Sequence, residues 1–131
     1  MQTGESTETI IQDCLKNLGI SLLIEWDAAI FLYRHGTTLA SAGQIARLLG
    51  YRKAEMGEAL ERLESIWLVR RSRSIQGVRM YQFTAPSDPS VRKCFQELIS
   101  VAETRPGRLL LVINLRRIDN KTRRRDGLHL A

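Results

Sequence analysis

Two apolar stripes of helical period, followed by a change to strand-like segments, decide the fold of this chain. They lie in SAGQIARLLGYRKAEMGEALERLES (residues 41–65) and LVRRSRSIQGVRMYQF (residues 68–83). Ser41, with Gln44 three residues later, fits a capping box that opens a helix, and Gly50 fits its end. After a short turn the same period resumes. This stretch therefore predicts two helices joined by a turn, followed by strands.

A β-hairpin with basic arms is predicted directly after the second helix. Residues 68–73 and 78–83 are strand-like, and residues 74–77 form the turn between them, with Gly77 where a positive φ is needed. The arms carry four arginines: Arg70, Arg71, Arg73 and Arg79.

Two further helices are predicted on the amino-terminal side. Residues 7–18 form an amphipathic helix that ends before Gly19, and its stripe contains Ile10, Ile11, Cys14, Leu15 and Leu18. Residues 22–35 form a helix that is apolar on most sides, which predicts burial from several directions. Residues 37–40 are predicted to be a connection.

The carboxyl-terminal side predicts two more helices. Pro86 and Pro89 interrupt the chain, after which Ser87 or Ser90 caps a helix that runs to Ala102. Residues 108–118, which follow a Pro-Gly pair, are predicted to be helical. A buried strand remains the alternative, because the run LLLVI fits both. Residues 1–6 and 119–131 are expected to be disordered.

The composition favours a cytoplasmic protein with a single globular domain. The chain has 131 residues, of which 44% are hydrophobic and 26% charged. The amino terminus does not resemble a secretory signal, and the longest apolar run, residues 109–113, is too short to span a bilayer. The formal net charge of +6 is compatible with a nucleic-acid partner.

Candidate catalytic and metal-binding groups are lacking in the sequence. Cys14 and Cys94 lie on apolar helical stripes, which predicts two buried small hydrophobic residues in a reducing compartment. Neither has ligand residues at the short spacing that a metal site needs. No catalytic triad, carboxylate pair or glycine-rich phosphate loop is visible. We therefore expect a binding protein without cofactor or metal, not an enzyme.

The order of these segments resembles the winged helix-turn-helix of bacterial transcription regulators. The similarity extends from Trp26 to Thr84, and it is carried by residues 43–50, 59–64, 68–71, Gly77 and 81–84. With helices on both sides, the chain is most similar to the multiple-antibiotic-resistance regulator (MarR-like) superfamily. It departs from that pattern in the wing, which lacks an Asp-x-Arg motif, and at Trp67, where a glycine is common.

The resemblance implies a mainly α chain with a small β-hairpin (α+β), folded as a winged helix-turn-helix with flanking dimerisation helices. A single domain is expected over residues 7–118. Its core covers residues 22–85, and its dimerisation helices cover residues 7–18 and 88–118. Residues 119–131 form a basic tail.

The expected partner is double-stranded DNA, bound by a homodimeric transcription regulator. The second helix of the pair enters the major groove, and the basic wing contacts the backbone or the minor groove. The candidate contacts are Arg52, Lys53, Ala54, Gly57, Arg70, Arg71, Arg73, Gln76 and Arg79. Glutamates on the same helix leave an alternative open, a winged-helix module that binds protein without sequence-specific DNA binding.

The terminal helices are expected to form the dimer interface, because residues 109–118 present apolar side chains in nearly every direction. The candidate interface residues are Ile10, Ile11, Leu15, Leu18, Leu110, Leu111 and Ile113. The resemblance also leaves room for a small-molecule effector of unknown identity. No membrane partner is expected.

Overall fold

Six helices and three short strands make up the part of the chain that the structure describes. The computed structural model describes the backbone of residues 4–36, 38–72 and 74–130, and the side chains of residues 7–36, 38–72 and 74–118. The elements are α1 (Gly4–Leu18), α2 (Leu23–Arg34), β1 (Ala40–Ser41), α3 (Ala42–Leu49), α4 (Lys53–Ser65), β2 (Val69–Arg71), β3 (Met80–Phe83), α5 (Pro89–Ala102) and α6 (Arg105–Leu130). The prediction of a mainly helical α+β chain is confirmed.

The chain divides into two compact units. The terminal unit combines Met1–Leu23 with Asp88–Ala131, and the central unit consists of Ile24–Ser87. The terminal unit is therefore built from both ends of the chain, whereas the central unit is continuous in sequence. The expectation of a single domain with flanking dimerisation helices stays a prediction.

A small antiparallel sheet with the order β1-β3-β2 lies in the central unit. β2 pairs with β3 through Val69 with Phe83 and Arg71 with Tyr81, which confirms the predicted pairing of these two segments. The third strand, β1, pairs Ala40 with Tyr81. The prediction that residues 37–40 are a connection is wrong for Ala40, because a strand of two residues is too short to show a period.

The core of the central unit contains one face of each of its helices and the inner side of β2 and β3. The buried apolar residues are Trp26, Ala28, Ala29, Leu32, Ala40, Ile45, Ala46, Met56, Ala59, Leu60, Leu63, Leu68, Val69 and Tyr81. The apolar stripe predicted for the second helix of the pair is confirmed at all four of its positions, Met56, Ala59, Leu60 and Leu63. Burial of this one face leaves the opposite face of α4 open to solvent.

Trp67 has an unusual backbone at the end of α4. Its φ of 66° lies in the left-handed region, and its side chain is 79% exposed. The next amide, of Leu68, donates to the carbonyl of Leu63 at 3.0 Å, so Trp67 occupies the position after a helix that glycine usually fills. A side chain with Cβ costs about 1–2 kcal/mol in this conformation. This unfavourable backbone conformation is thus present at a tryptophan whose side chain packs little against its own chain.

The terminal unit is a bundle of α1, α5 and α6, each of which contacts the other two. Asp88 caps α5, since its carboxylate accepts from the amide of Ser90 at 2.9 Å. The prediction that Ser87 or Ser90 is the cap is wrong, because Asp88 has the extended backbone of an N-cap directly before Pro89, the first residue of α5. α6 is a helix, so the alternative of a buried strand is excluded, and it begins three residues before the predicted Arg108.

Gly107 allows α6 to start directly against the end of α5. Its amide donates to the Thr104 hydroxyl at 3.1 Å. A Cβ built on Gly107 would lie 2.0 Å from the backbone carbonyl oxygen of Val101 and 2.8 Å from the Thr104 hydroxyl oxygen. The two helices therefore meet at a distance that only glycine permits.

A buried asparagine connects α1 with α6. Asn114 accepts a hydrogen bond from the Gln12 amide at 3.0 Å and donates to the Glu8 carboxylate at 3.2 Å and to the Leu110 carbonyl at 2.8 Å. Arg117 donates to the same carboxylate at 3.2 Å. A buried amide without hydrogen-bond partners destabilises the folded state. This network therefore fixes the register of the two helices.

The two cysteines meet across α1 and α5. The thiol of Cys14 is buried and hydrogen-bonds with that of Cys94, which is half-buried and also accepts from the Asn17 side chain at 3.6 Å. Burial, followed by the contact with Cys94, raises the pKa of Cys14 to about 12. Cys14 is thus buried as the sequence predicts, and its thiol stays protonated, whereas Cys94 is less buried than expected.

Both ends of the chain contain more helix than the sequence predicted. α1 begins at Gly4 and α6 continues to Leu130, whereas the sequence predicts disorder over residues 1–6 and 119–131. Lysine and arginine are good helix formers, and a helix already started propagates through them at little cost. Polarity alone did not reveal this.

Candidate functional site

The turn between α3 and α4 is held by local interactions that the sequence specifies. The Ser41 hydroxyl accepts from the Gln44 amide at 3.2 Å, and the Gln44 side chain accepts from the Ser41 amide at 2.9 Å. This confirms the predicted capping box. Gly50 ends α3 with a φ of 84°. Arg52 is the N-cap of α4, and its side chain makes no capping hydrogen bond to the helix.

The face of α4 that points away from the core carries most of the predicted contact residues of this helix. Arg52, Lys53 and Ala54 are exposed, and Gly57 is half-buried. A Cβ built on Gly57 meets nothing within 4 Å, so this part of the helix is open to a close approach. The same face exposes three carboxylates, those of Glu55, Glu58 and Glu61.

The hairpin ends in a two-residue turn of the type that suits twisted strands. Gln76 and Gly77 have φ values of 53° and 79°. Ile75 and Val78 exchange both backbone hydrogen bonds at 2.9 Å. Positive φ at both central positions is the condition for a type I′ turn. Gly77 has the positive φ that the sequence predicted, and Gln76, a predicted contact, is exposed at the tip.

The arginines of the hairpin differ in how they are held. Arg79 is exposed, as are Arg70, which donates to the Gln82 side chain at 3.3 Å, and Arg71, which pairs with Glu64 of α4 at 3.0 Å. Such an exposed pair contributes about 0–1 kcal/mol, so Arg71 exchanges this partner for another anion at little cost. Arg73, the fourth predicted contact of the arms, lies outside the described residues.

A groove of about 270 Å³ lies between α4 and the hairpin. It brings Lys53 and Gly57, predicted on the helix, together with Arg79, predicted on the wing, and Glu61 contributes one carboxylate. The lining residues are Ala42, Lys53, Gly57, Glu61, Gly77, Val78, Arg79 and Tyr81. Two cations from separate elements thus face one groove whose two glycines leave room for a strand of an anionic polymer.

The α3–α4 turn is anchored to α2 by a short hydrogen bond. The Tyr51 hydroxyl donates to the Asp27 carboxylate at 2.5 Å, and Tyr51 directly precedes Arg52. Burial raises the pKa of Asp27, an effect that the hydrogen bond from Tyr51 partly offsets. Burial also raises the pKa of Tyr51 well above its usual range. Tyr51 is therefore a neutral donor that positions the start of α4.

Replacing Asp27 with asparagine is expected to change how stability depends on pH. Because the pKa of Asp27 is raised on folding, the folded state takes up this proton first as the pH falls. The free energy of unfolding of the wild type should rise, relative to Asp27→Asn, as the pH is lowered from neutral to about 4. Urea denaturation at several pH values measures this difference.

Tyr51→Phe provides an internal check on that expectation. The hydrogen bond from the Tyr51 hydroxyl lowers the pKa of Asp27. Removing the hydroxyl should therefore raise this pKa further and enlarge the gain in stability at low pH. A difference between wild type and Asp27→Asn that does not vary with pH would contradict the expected effect.

A buried carboxylate behind α4 was not anticipated from the sequence. Glu25 of α2 is 2% exposed and forms an ion pair with Arg62 of α4. The sequence predicts the helix over residues 22–35 to be apolar on most sides. A glutamate within such a helix indicates a cationic partner, because charged groups are rarely buried alone. The pair holds α4 against α2, so the role of Arg62 is structural.

The predicted dimer residues fall into two groups. Ile11, Leu15, Leu18 and Leu111 are buried in the structure of the single chain, whereas Ile10, Leu110 and Ile113 are partly exposed. The sequence suggested that one chain could not cover residues 109–118 on all sides. The bundle of α1, α5 and α6 covers one face of that segment, so the first group is not available to a partner.

Two comparisons with known proteins give no match for this chain. Among the described residues, no helix combines the length and the apolar character needed to cross a membrane. No protein-family model matches the chain, and no curated protein matches it. What the chain binds must therefore be inferred from the charges, exposures and contacts of its own residues.

Proposed function

We propose that the central unit is a winged helix-turn-helix that binds double-stranded DNA, and that the protein regulates transcription as a homodimer. The observation that carries this proposal is the groove between α4 and the hairpin, which Lys53 and Arg79 line from opposite sides. A basic groove between a helix and a hairpin fits a phosphate backbone, because each cation that meets a phosphate releases a counterion.

The exposed face of α4 fits the major groove in size and composition. A helix with its side chains is about 10–12 Å across, close to the width of that groove. Residues at the helix start reach the base edges. Arg52 is suited to guanine, which accepts two hydrogen bonds from one guanidinium. Ala54 and Gly57 allow the close approach that such a contact needs.

A second candidate function is supported by the carboxylates of the same face. Glu55, Glu58 and Glu61 are exposed beside Arg52 and Lys53, so the outward charge of α4 is −1 where the hairpin is strongly positive. Carboxylates repel phosphates unless they accept from cytosine. A basic protein partner would be attracted to this face, which makes a protein-interaction module the alternative.

Titration of a labelled random-sequence duplex at increasing salt separates the two functions. The wild type should bind with a strong dependence on salt, and Lys53→Ala and Arg79→Ala should each lower the log–log slope by about 0.9. Lys93→Ala is the matched control, since it removes one exposed charge from α5 in the terminal unit. Absence of salt-dependent duplex binding by the wild type would refute the proposed function and favour the protein partner.

The homodimer is proposed to form through the outward face of α6. Leu109 is 61% exposed, and Val112 and Ile113 on the same side of the helix are half-exposed. Exposure of such an apolar strip to water is unfavourable, and its burial in an interface is favourable. A two-fold dimer would also match the palindromic sites that pairs of recognition helices bind.

Leu109→Asp should weaken or abolish this dimer while the helices remain folded. Light scattering at micromolar concentration should report twice the chain mass for the wild type and a lower mass for the variant. Leu48→Asp serves as control, because Leu48 is 68% exposed on α3 in the central unit. A monomeric wild type at that concentration would contradict the dimer.

A further inference from the structure

The tip of the hairpin exposes two apolar side chains side by side. Ile75 and Val78 are 50% and 49% exposed, and they form an isolated antiparallel bridge with one another. Residues that face each other across such a bridge project their side chains to the same side of the ribbon. The tip is therefore an apolar edge two side chains wide, at a position where a solvated hairpin would carry polar residues.

The surroundings of this edge are strongly cationic. Residues 69–83 contain four arginines and no acidic residue. Arg70 and Arg79 are exposed on the two arms, and Val78 lines the groove together with Arg79 and Lys53. An occupant that matches both features has rows of negative charge on either side of a less polar floor. The DNA minor groove has this form, with phosphates at its rims and sugars and bases between them.

The tip is also narrow and is held by its own backbone hydrogen bonds. The turn has two residues, one of them glycine, and both bridge hydrogen bonds measure 2.9 Å. A type I′ turn matches the natural twist of its strands, so the tip needs no rearrangement before it binds. Even so, a two-stranded ribbon is wider than a minor groove of about 6 Å. Its entry requires the groove to open.

We propose that Ile75 and Val78 form a wedge that enters the minor groove, partly unstacks one base step and bends the duplex toward the major groove. This rests on the proposed DNA binding and extends it to a class of sequence. Apolar side chains that insert between base pairs act in this manner. Because pyrimidine–purine steps unstack at the lowest cost, the wedge favours sites with a TpA or CpA step under the hairpin.

The test uses duplexes that carry 2-aminopurine at a central TpA or ApT step, with dyes at both ends to report bending. The wild type should raise 2-aminopurine fluorescence, shorten the end-to-end distance and bind the TpA duplex more tightly. In Ile75→Thr/Val78→Thr, which keeps β-branched side chains and all cations, the salt slope should be unchanged. The fluorescence rise and the bend should be lost, and the preference for TpA should fall to about one.

Leu48→Thr is the matched control, since it replaces an exposed apolar residue of the same unit outside the hairpin and should behave as the wild type. If the wild type binds duplexes without unstacking or bending them, the wedge is refuted and the DNA-binding function stands. If it binds no duplex, the function itself fails. Binding of phosphatidylserine vesicles that depends on Ile75 and Val78, without an effect on DNA, would assign the tip to a lipid surface and overturn the wedge.

Discussion

Replacement of Gly107 with alanine should destabilise the terminal unit by about 3 kcal/mol, at the upper end of the usual cost of overpacking. The added Cβ would lie 2.0 Å from the Val101 carbonyl oxygen. This neighbour is backbone in α5, so no side-chain rotation relieves the overlap, and the start of α6 must move away from α5. Such a shift also breaks the hydrogen bond from the Gly107 amide to Thr104.

Urea denaturation followed by circular dichroism, combined with hydrogen exchange of α1, α5 and α6, measures this loss. Gly57→Ala is the matched control in the central unit. A Cβ there meets nothing within 4 Å and the residue is helical, so alanine should raise stability by about 0.8–1.0 kcal/mol. Unfolding of Gly107→Ala at the same urea concentration as the wild type would show that α6 does not pack as described.

Replacement of Arg62 with alanine should destabilise the central unit by about 3 kcal/mol, because it leaves the buried carboxylate of Glu25 without its cation. Water reaches Arg62, whose side chain is 44% exposed, but Glu25 is 2% exposed. The charge of Glu25 must then stay buried without its cation or draw water into the core. Each of these outcomes lowers the free energy of unfolding.

The double variant Glu25→Leu/Arg62→Leu should recover most of that loss, since well-packed apolar residues often replace a buried ion pair without penalty. Arg71→Ala is the control, because it breaks the exposed pair with Glu64 and should cost less than about 1 kcal/mol. Fluorescence of Trp26, which is buried in α2, reports the unfolding. Equal losses in Arg62→Ala and Arg71→Ala would contradict a special role for Glu25.

The parts of the fold that were predictable from the sequence depend on residues close together in the chain. Ser41 and Gln44 cap a helix within one turn, Gly50 ends it, and Gly77 supplies the positive φ of the hairpin. The stripes of α1, α4 and α5 repeat with helical period over two turns or more. In each case the physical cause acts over a few residues, so the pattern is visible without the structure.

The parts that were not predictable depend on residues that are distant in sequence. The Glu25–Arg62 pair, the Asn114 network and the meeting of Cys14 with Cys94 join separate helices. For the same reason, the sequence could identify Arg71 as exposed and basic but not as the partner of Glu64. It likewise could not show that α5 and α1 cover Leu111.

The discontinuous composition of the terminal unit has a consequence for the order in which the protein folds. Synthesis completes Ile24–Ser87 while α5 and α6 are still to be made, so the central unit has its whole sequence first. α1, with only 15 residues, is marginal as an isolated helix. We therefore expect the apolar stripe of α1 to remain unpaired until α5 and α6 have left the ribosome. Closure of the long intervening segment then adds an entropic cost that rises only slowly with the length of that segment.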